Sequence, residues 1–212
     1  MEFINFKSAY SGMKYHMEYC KDVYQNNSFR SENKRICQIK EIRAVQIGIT
    51  HPRVSDTFEL IESIDKNHKE RIEMLMNLGD KFVNEKLIPF NTHYTYNERI
   101  HYQIPFILSN IRGKGSEANR QAFLSIWDPE KDVAVIGIKE IPCSIGYQFF
   151  LRENILHMVY YMRSLDIEIW PNDMYLSNRV HRYFADKIDC AIGRIDFLIG
   201  SFHSFIKEEG KE

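Results

Sequence analysis

The sequence predicts an α/β (α+β) fold with one bent, mixed β-sheet flanked by helices. Apolar residues recur at helical spacing in the first half of the chain, and four aromatic and β-branched runs of strand length follow in the second half. A sheet with helices packed on it is a common way to bury both kinds of element in one core. The 212 residues contain no repeat and no Pro/Gly-rich linker, so we expect a single domain, residues 1–212.

The first half contains one predicted strand and three predicted helices. Residues 1–34 form an N-terminal extension with a short helix near residues 9–24. Alternating apolar and polar residues predict a strand over residues 40–50. Apolar residues at helical spacing predict the other two helices, over residues 58–85 and 102–111.

The second half contains mainly strands. Four runs predict them, over residues 121–127, 132–138, 145–151 and 155–162. The tripeptide Arg152-Glu153-Asn154 would join the last two as a hairpin. A helix is expected over residues 174–188, with Asn172 or Asp173 as its N-cap, and residues 206–212 form a solvated tail.

Composition argues against several functional classes. A net charge of −1 argues against a generally basic nucleic-acid binder, so any anion must bind in a local pocket. No apolar run approaches the ~20 residues of a membrane span. The first residues show no signal peptide, so we expect a cytoplasmic protein with free thiols. The four cysteines and eight histidines show no metal-binding spacing, so we expect no metal site.

Two polar groups stand at the ends of neighbouring strands. Cys143 follows a proline at the entry to one strand, where it is either a buried structural thiol or a nucleophile. A nucleophilic cysteine needs a nearby cation that favours its thiolate form. Arg163, Ser164 and Asp166 end the next strand, and they form either a strand-end salt bridge or an anion site. An arginine, a hydroxyl and a carboxylate together suit a phosphate monoester.

These segments resemble thymidylate synthase and its relative deoxycytidylate hydroxymethylase. The resemblance spans roughly residues 35–205 and rests on blocks that keep the family's order and spacing. The matching blocks are Tyr94-Thr95-Tyr96-Asn97-Glu98-Arg99, Asn119-Arg120-Gln121 with Ser125-Ile126-Trp127, Pro142-Cys143 with Gln148-Phe149, Arg163-Ser164-x-Asp166, Asn172-Asp173-x-Tyr175 and Gly200-Ser201-Phe202-His203. Their shared order favours the nucleophile as the interpretation of Cys143.

The resemblance implies roles for the residues that would bind and attack a nucleotide. Cys143 would attack C6 of a pyrimidine, which makes C5 nucleophilic. Arg163 would favour the thiolate and hold the nucleotide phosphate, to which Ser164 would also donate. Arg35 is the match for a further phosphate arginine. Arg120 matches an arginine that reaches the phosphate in the other subunit, which implies a homodimer.

Other matched positions concern the sugar, the base and the one-carbon donor. The resemblance implies that His203 contacts the ribose and that Tyr96 helps to order the water and proton relay at the base. Gln148 and Asp166 belong to matched blocks and are expected to bind the substrate. The activated ring would take its carbon from 5,10-methylenetetrahydrofolate as cosubstrate.

One position bears on the identity of the base. In the synthases an asparagine reads uracil, and Asp173 falls on that asparagine if a gap of one residue precedes Trp170. Moving the gap places Asn172 there instead and restores a preference for uracil. An ionised aspartate only accepts hydrogen bonds, so it suits the N4 amino group of cytosine and opposes O4 of uracil. Asp173 could alternatively act only as a helix N-cap.

Three positions depart from the family pattern or stay open. Ser144 replaces the histidine that follows the nucleophile in common synthases, although hydroxymethylases also lack it. Phe205 stands where a tyrosine usually bonds the sugar. The catalytic glutamate is assigned to Glu73, with Glu62 as the alternative, while an exposed, salt-bridging helix position is the other interpretation of Glu73.

The expected function is hydroxymethylation at C5 of a cytidine monophosphate, CMP or dCMP, by a sheet-to-sheet homodimer. One alternative is a thymidylate synthase, which converts dUMP to dTMP. Another is a non-catalytic, nucleotide-binding homologue. Neither nucleic acid nor a membrane is expected as a partner.

Overall fold

The computed structural model describes residues 1–26, 36–83, 96–113, 120–136 and 141–206, and within these the side chains of 22–26, 36, 37 and 80 are not described. The described helices are α1 (Phe6–Glu18), α2 (Val54–Ile64), α3 (His68–Phe82), α4 (Tyr96–Ile100), α5 (Ile104–Arg112), α6 (Pro129–Asp132) and α7 (Trp170–Ile188). The strands are β1 (Glu2–Phe3), β2 (Asp22–Asn26), β3 (Ile36–Ile49), β4 (Phe123–Ser125), β5 (Ser144–Arg152), β6 (Ile155–Asp166) and β7 (Ala191–Phe205).

The seven strands of the described ranges form one mixed sheet in the order β1-β3-β7-β6-β5-β4, with β2 also paired to β3. β6 and β7 run parallel, as do β1 and β3, and every other pair is antiparallel. The helix α7 connects the parallel pair, as such a crossover requires. This mixed sheet with flanking helices confirms the predicted fold class.

The core lies between the helices and one face of the sheet. On that face Tyr147 stacks on Tyr160, Phe149 contacts Phe184 of α7, and other buried aromatic side chains include Trp170, Phe197 and Phe202. Residues of α1 belong to the same core, with Phe6, Ala9 and Met13 fully buried. An Asn5–Ser8 capping box begins this helix, because each side chain accepts a hydrogen bond from the other residue's backbone N–H.

Three adjacent strands bend at the same level. Ala44 in β3 has a left-handed φ of 52°, and it lies opposite Gly200 between the register pairs Arg43–Ser201 and Val45–Ile199. A Cβ on Gly200 would lie 2.7 Å from the backbone oxygen of Arg163 in β6, so glycine allows the close approach. Along each strand every second residue is buried, and at this level two successive residues between the buried ones interrupt the alternation. The interruption lies between Met162 and Leu165 in β6 and between Ile199 and Phe202 in β7.

A hairpin and most helices occur where the sequence predicts them. Glu153 and Asn154 both take left-handed φ values, 50° and 59°, in the tight turn that joins β5 to β6. The expected helices near residues 9–24 and 102–111 correspond to α1 and α5.

The structure corrects the local predictions at four points. Residues 132–138 are not a strand over their described part: Asp128 caps α6, Asp132 forms an ion pair with Arg99, and a 3-10 turn covers Val133–Val135. The single helix over 58–85 is two helices, because Asp65 takes an extended backbone and accepts hydrogen bonds from Asn67 and Arg71.

The other two corrections concern the second half of the chain. Neither Asn172 nor Asp173 is the N-cap of α7, because the helix begins at Trp170 with Pro171 in its first turn. The sequence analysis also missed β7, in which Gly193, Gly200 and charged residues interrupt the apolar alternation.

A membrane-spanning helix is absent from the described ranges, in which every helix is too short or too polar to cross a bilayer. The expectation of a solvated tail over 206–212 falls, apart from residue 206, outside the described residues.

Candidate active site

Cys143 lies just before β5, beside the end of β6. Its backbone oxygen accepts a hydrogen bond of 2.8 Å from the backbone N–H of Arg163, so the two residues extend the antiparallel ladder. The thiol is half-buried and belongs to no disulfide. Ser164 Oγ donates to Cys143 Sγ at 3.5 Å and Arg163 Nη2 lies 3.7 Å from the same sulfur. The three residues therefore form one cluster, although they come from different strands.

The guanidinium of Arg163 is held in place by backbone groups. Its Nε donates to the oxygen of Pro142 and its Nη2 to that of Ile141, each at 3.0 Å. The third nitrogen, Nη1, lies 3.3 Å from Ser164 Oγ. The residue is nevertheless exposed, so the fixed cation faces both the sulfur and the solvent. A cation in this position favours a thiolate and can bind an anion.

A β-bulge at the start of β5 directs the residue after the cysteine into the core. Ser144 pairs with Met162 and Gly146 with Tyr161, so Ile145 is one extra residue in β5. As a result Ile145 is exposed while Ser144 is fully buried. A Cβ on Gly146 would lie 2.5 Å from the backbone oxygen of Leu124, which explains glycine at the bulge.

The buried hydroxyl of Ser144 is the centre of a hydrogen-bond chain. It bonds the hydroxyl of Tyr96 from α4 at 3.0 Å and the hydroxyl of Tyr160 from β6. Tyr160 in turn donates to Asp173 Oδ1 at 3.1 Å. The chain thus connects Tyr96 to Asp173, and it passes through the residue next to Cys143.

Burial changes the acid–base behaviour of this chain. Desolvation raises the pKa of Asp173 to about 7, while the hydrogen bond from Tyr160 lowers it. Desolvation also raises the pKa of the Tyr160 hydroxyl well above its ordinary value, so it stays a neutral phenol near neutral pH. Asp173 can therefore gain or lose a proton near neutral pH.

The two candidates for the base-reading position face different neighbours. Both belong to the first turn of α7. Asn172 Oδ1 accepts a hydrogen bond of 2.9 Å from Arg71 Nε of α3, and Arg71 also donates to the backbone oxygen of Glu168. Asp173, by contrast, is bonded to Tyr160. Only Asp173 of this pair is connected by these contacts to the residues around Cys143.

Asp166 and His203 lie side by side at the carboxyl ends of the parallel strands. They are register partners in β6 and β7. The Asp166 carboxylate accepts from the backbone N–H of Glu168 at 3.1 Å, and the His203 ring stands perpendicular to Phe205 at 5.3 Å. Asp166 therefore lies on the same strand as Ser164, and His203 lies on the neighbouring strand.

The sequence analysis did not anticipate the carboxylate of Glu41. It accepts hydrogen bonds from Ser201 Oγ at 2.6 Å and from Arg43 Nε at 2.7 Å. These bonds lower the pKa of Glu41, and the charge of His203 acts in the same direction. Glu41 faces His203 across the β3–β7 ladder, so it adds a fixed negative charge at this end of the sheet.

Two expected substrate residues lie together but apart from the thiol contacts. Gln148 donates to the backbone oxygen of Arg120 at 2.7 Å and accepts from the Tyr161 hydroxyl at 2.8 Å. Tyr147, the preceding residue, is fully buried in the core, so Gln148 points to the opposite face of the sheet. Arg120 is exposed just before β4.

The two candidates for the catalytic glutamate are exposed on helices, and among the described residues neither is hydrogen-bonded to Cys143. Glu73 is exposed on α3, and its spacing from Arg71 places it on a different side of that helix from the contact with α7. Glu62, the alternative, is also exposed, on α2. Arg35 lies outside the described residues.

Sequence reasoning missed Tyr160 as a polar group. The run over residues 158–162 reads as sheet packing, and the ring of Tyr160 does pack in the core. The available signal was a buried tyrosine hydroxyl, which must find a partner, in the same strand as Arg163. Among the described residues, no group of three or more His, Cys, Asp or Glu side chains could hold a metal ion.

Comparisons with known proteins show what this chain resembles in sequence and in fold. No family model matches the chain. The chain is 26% identical over 191 residues to a protein of Methanococcoides burtonii named "Putative thymidylate synthase", covering 87% of this chain and 82% of that protein. A protein of the same name from Methanosarcina mazei is 26% identical over 184 residues, covering 82% of this chain and 77% of that protein.

A solved structure is similar to most of the fold. It is the thermostable thymidylate synthase A from Bacillus subtilis, which matches with a TM-score of 0.57 at 13% sequence identity. The match covers 95% of this chain and 80% of that chain. The sequence relatives and the shared fold, together with the cysteine–arginine cluster, support the resemblance of this chain to the thymidylate synthases.

Proposed function

We propose that the protein hydroxymethylates C5 of a cytidine monophosphate, CMP or dCMP, with 5,10-methylenetetrahydrofolate as cosubstrate. The observation that carries the proposal is a thiol beside a fixed guanidinium, with Asp173 connected to the same site through Ser144 and Tyr160. The reaction needs three groups: a nucleophile, a cation that binds the phosphate and a carboxyl group that recognises the base.

Cys143 starts the reaction as the nucleophile. Its sulfur forms a bond to C6, and the electrons of the C5=C6 double bond move toward N3, which makes C5 nucleophilic. Arg163, fixed by the oxygens of Ile141 and Pro142, favours the thiolate and holds the phosphate with Ser164. The folate cosubstrate would supply the carbon that C5 captures. Loss of the C5 proton would then break the bond from that carbon to the folate nitrogen, so that tetrahydrofolate leaves and an exocyclic methylene group remains. Addition of water to this methylene group and departure of Cys143 would give the product.

Asp173 reads the base and supplies a proton. When ionised, it accepts a hydrogen bond from the N4 amino group of cytosine. When protonated, it can donate to N3 while its other oxygen accepts from N4, which stabilises the electrons that arrive at N3. Burial raises the pKa of Asp173 to about 7, so both forms are available near neutral pH. Arg71 engages Asn172, and this supports Asp173 over Asn172 as the base-reading residue.

His203, Asp166 and Tyr96 are proposed to complete the substrate site. The first two lie at the ends of β7 and β6, beyond Ser164, where a sugar attached to the bound phosphate would reach. Tyr96 is bonded to Ser144 in the same chain and is proposed to order water near the base. Glu73 stays the proposed catalytic glutamate by resemblance alone, as does Arg35 for the phosphate.

We also propose a homodimer in which Arg120 and Gln148 act at the sheet face. Arg120 is exposed, and Gln148 and Tyr161 lie on the face opposite the core, where half-buried side chains alternate with the core residues. A partner sheet would cover this face and receive Arg120 at its own phosphate site.

Release of tritium from C5 tests the proposed reaction and its substrate. The enzyme with methylenetetrahydrofolate is expected to release tritium from [5-³H]CMP or [5-³H]dCMP faster than from [5-³H]dUMP, without forming dihydrofolate. Release from dUMP alone, with dihydrofolate formed, would identify a thymidylate synthase instead. Release from none of the three would favour the non-catalytic homologue.

A further inference from the structure

We propose that Tyr160 and Ser144 are positioning residues, which fix the carboxyl group of Asp173 so that Oδ1 is held within the protein and Oδ2 is presented to the base. The inference rests on the proposed function for the identity of the base, but the geometry of the chain stands without it. It assigns a role to two hydroxyl groups that the resemblance leaves without one.

The contacts give the chain a single direction when Asp173 is ionised. A hydroxyl group carries one hydrogen. Because the Tyr160 hydroxyl donates to Asp173 Oδ1, its oxygen must accept from Ser144 Oγ. Ser144 Oγ is also hydrogen-bonded to the Tyr96 hydroxyl, at 3.0 Å. The hydroxyl of Tyr160 therefore points toward the carboxylate, which fixes Oδ1 as the acceptor of the chain.

Because the two hydroxyls are buried, they depend on the chain for their hydrogen bonds. Ser144 is 0% exposed and Tyr160 is 1% exposed, so neither hydroxyl can turn to solvent for a partner. A phenylalanine and an alanine would fill the same space without the cost of burying two polar groups. The side chains also come from three separate elements, β5, β6 and α7, with α4 at the far end. A polar chain across four elements defines their relative positions in a way that apolar packing does not.

The chain also connects the base-reading group to the nucleophile. Ser144 is the residue after Cys143, and the bulge at Ile145 turns it inward. A displacement of Asp173 would therefore also displace the start of β5, next to the Cys143 sulfur. Tyr160 lies on β6 two residues before Met162 and three before Arg163, so the same two strands carry both the chain and the sulfur–guanidinium pair.

Carboxyl ¹³C NMR of the substrate-free protein tests the inference. The Asp173 signal, assigned by its loss in Asp173→Asn, is expected to titrate near pH 7. In Tyr160→Phe the midpoint should rise by roughly 0.5–1 pH unit, because the ionised form loses a donor. Ser144→Ala should move it in the same direction by less. Tyr10→Phe is the control: it removes the hydroxyl of another buried tyrosine in the same core, which packs on Trp170 and makes none of the three bonds, and the midpoint should stay unchanged.

An unchanged midpoint in Tyr160→Phe, with the ring retained, overturns the inference, and so does an equal rise in Tyr10→Phe. Tritium release separates this outcome from failure of the proposed function. If the wild-type protein releases tritium from neither CMP nor dCMP, the proposed function fails while the NMR titration still decides the role of Tyr160. If it does release tritium, the pH at which the ratio of release from dCMP and dUMP changes should move upward in Tyr160→Phe along with the midpoint.

Discussion

We propose that Asp173 is the residue whose protonation decides which base the site accepts. Its two neighbours along the chain, Asn172 and Met174, face other partners, since Arg71 engages the first and the second is fully buried in the core. The pKa of Asp173 is raised to about 7 by burial, in contrast to an exposed aspartate that stays ionised. A cytosine ring suits both forms of the carboxyl group, whereas uracil suits only the protonated form.

The preference for cytosine over uracil should therefore rise with pH. As pH increases from 6 to 8, Asp173 loses its proton, and a carboxylate facing uracil O4 lacks a donor. We expect the ratio of kcat/KM for dCMP and dUMP, measured by tritium release, to rise roughly 10-fold over this range. Ionisation of Cys143 affects both substrates equally and cancels in the ratio.

The matched control for this prediction is Asp173→Asn. An asparagine amide carries a donor and an acceptor at every pH, so the variant should favour dUMP with a ratio that does not depend on pH. A wild-type ratio that stays flat from pH 6 to 8, or that falls, would show that Asp173 does not read the base.

At the scale of elements, the site depends on irregularities in otherwise regular strands. The bulge at Ile145 buries Ser144, and the bend at Ala44 and Gly200 changes which face Arg163 and Ser164 occupy. Neither feature follows from the alternation of apolar residues, because a bulge interrupts the pattern from which a strand is predicted. The sequence therefore predicts the hairpin β5–β6 and the helix α7 but not the inward position of Ser144.

Local hydrogen bonds explain the other differences between sequence and structure. The β-branched run near Val133 predicts a strand, yet Asp128 and Asp132 close a helical turn. The carboxylate of Asp132 accepts from the backbone N–H of Asp128 and pairs with buried Arg99. Such side-chain bonds compete with a sheet ladder, and the competition depends on an arginine 33 residues earlier in the chain. The proximity of Cys143 and Arg163, by contrast, was predictable, because both stand at the same end of two paired strands.

At the scale of the molecule, the described strands from β1 to β7 belong to one sheet, and the helices pack on it around one core. β1 pairs with the end of β3, and α1 packs beside it. We therefore propose that residues 1–212 form one domain. The half-buried face that carries Gln148 and Tyr161 is proposed to meet the same face of a second copy.

Mixing two inactive variants tests whether Arg120 acts in the other subunit. Arg120→Ala and Cys143→Ala homodimers should each be inactive, the first through weakened phosphate binding and the second through loss of the nucleophile. After subunit exchange, half of the dimers are mixed and each contains one complete site, so tritium release should return to about a quarter of the wild-type rate. A mixture as inactive as its components, although light scattering shows mixed dimers, would place Arg120 outside the neighbouring site.

Covalent trapping tests the central claim most directly. A fluorine at C5 cannot leave as a proton does, so the sulfur cannot depart and the adduct should persist. Incubated with methylenetetrahydrofolate and 5-fluoro-dCMP or 5-fluoro-CMP, the wild-type protein should gain the mass of nucleotide plus folate on the peptide that contains Cys143. Cys190→Ala, which removes another half-buried free thiol, should behave like the wild type, and Cys143→Ala should gain nothing. An adduct on any other residue, or none with either nucleotide, would contradict the account.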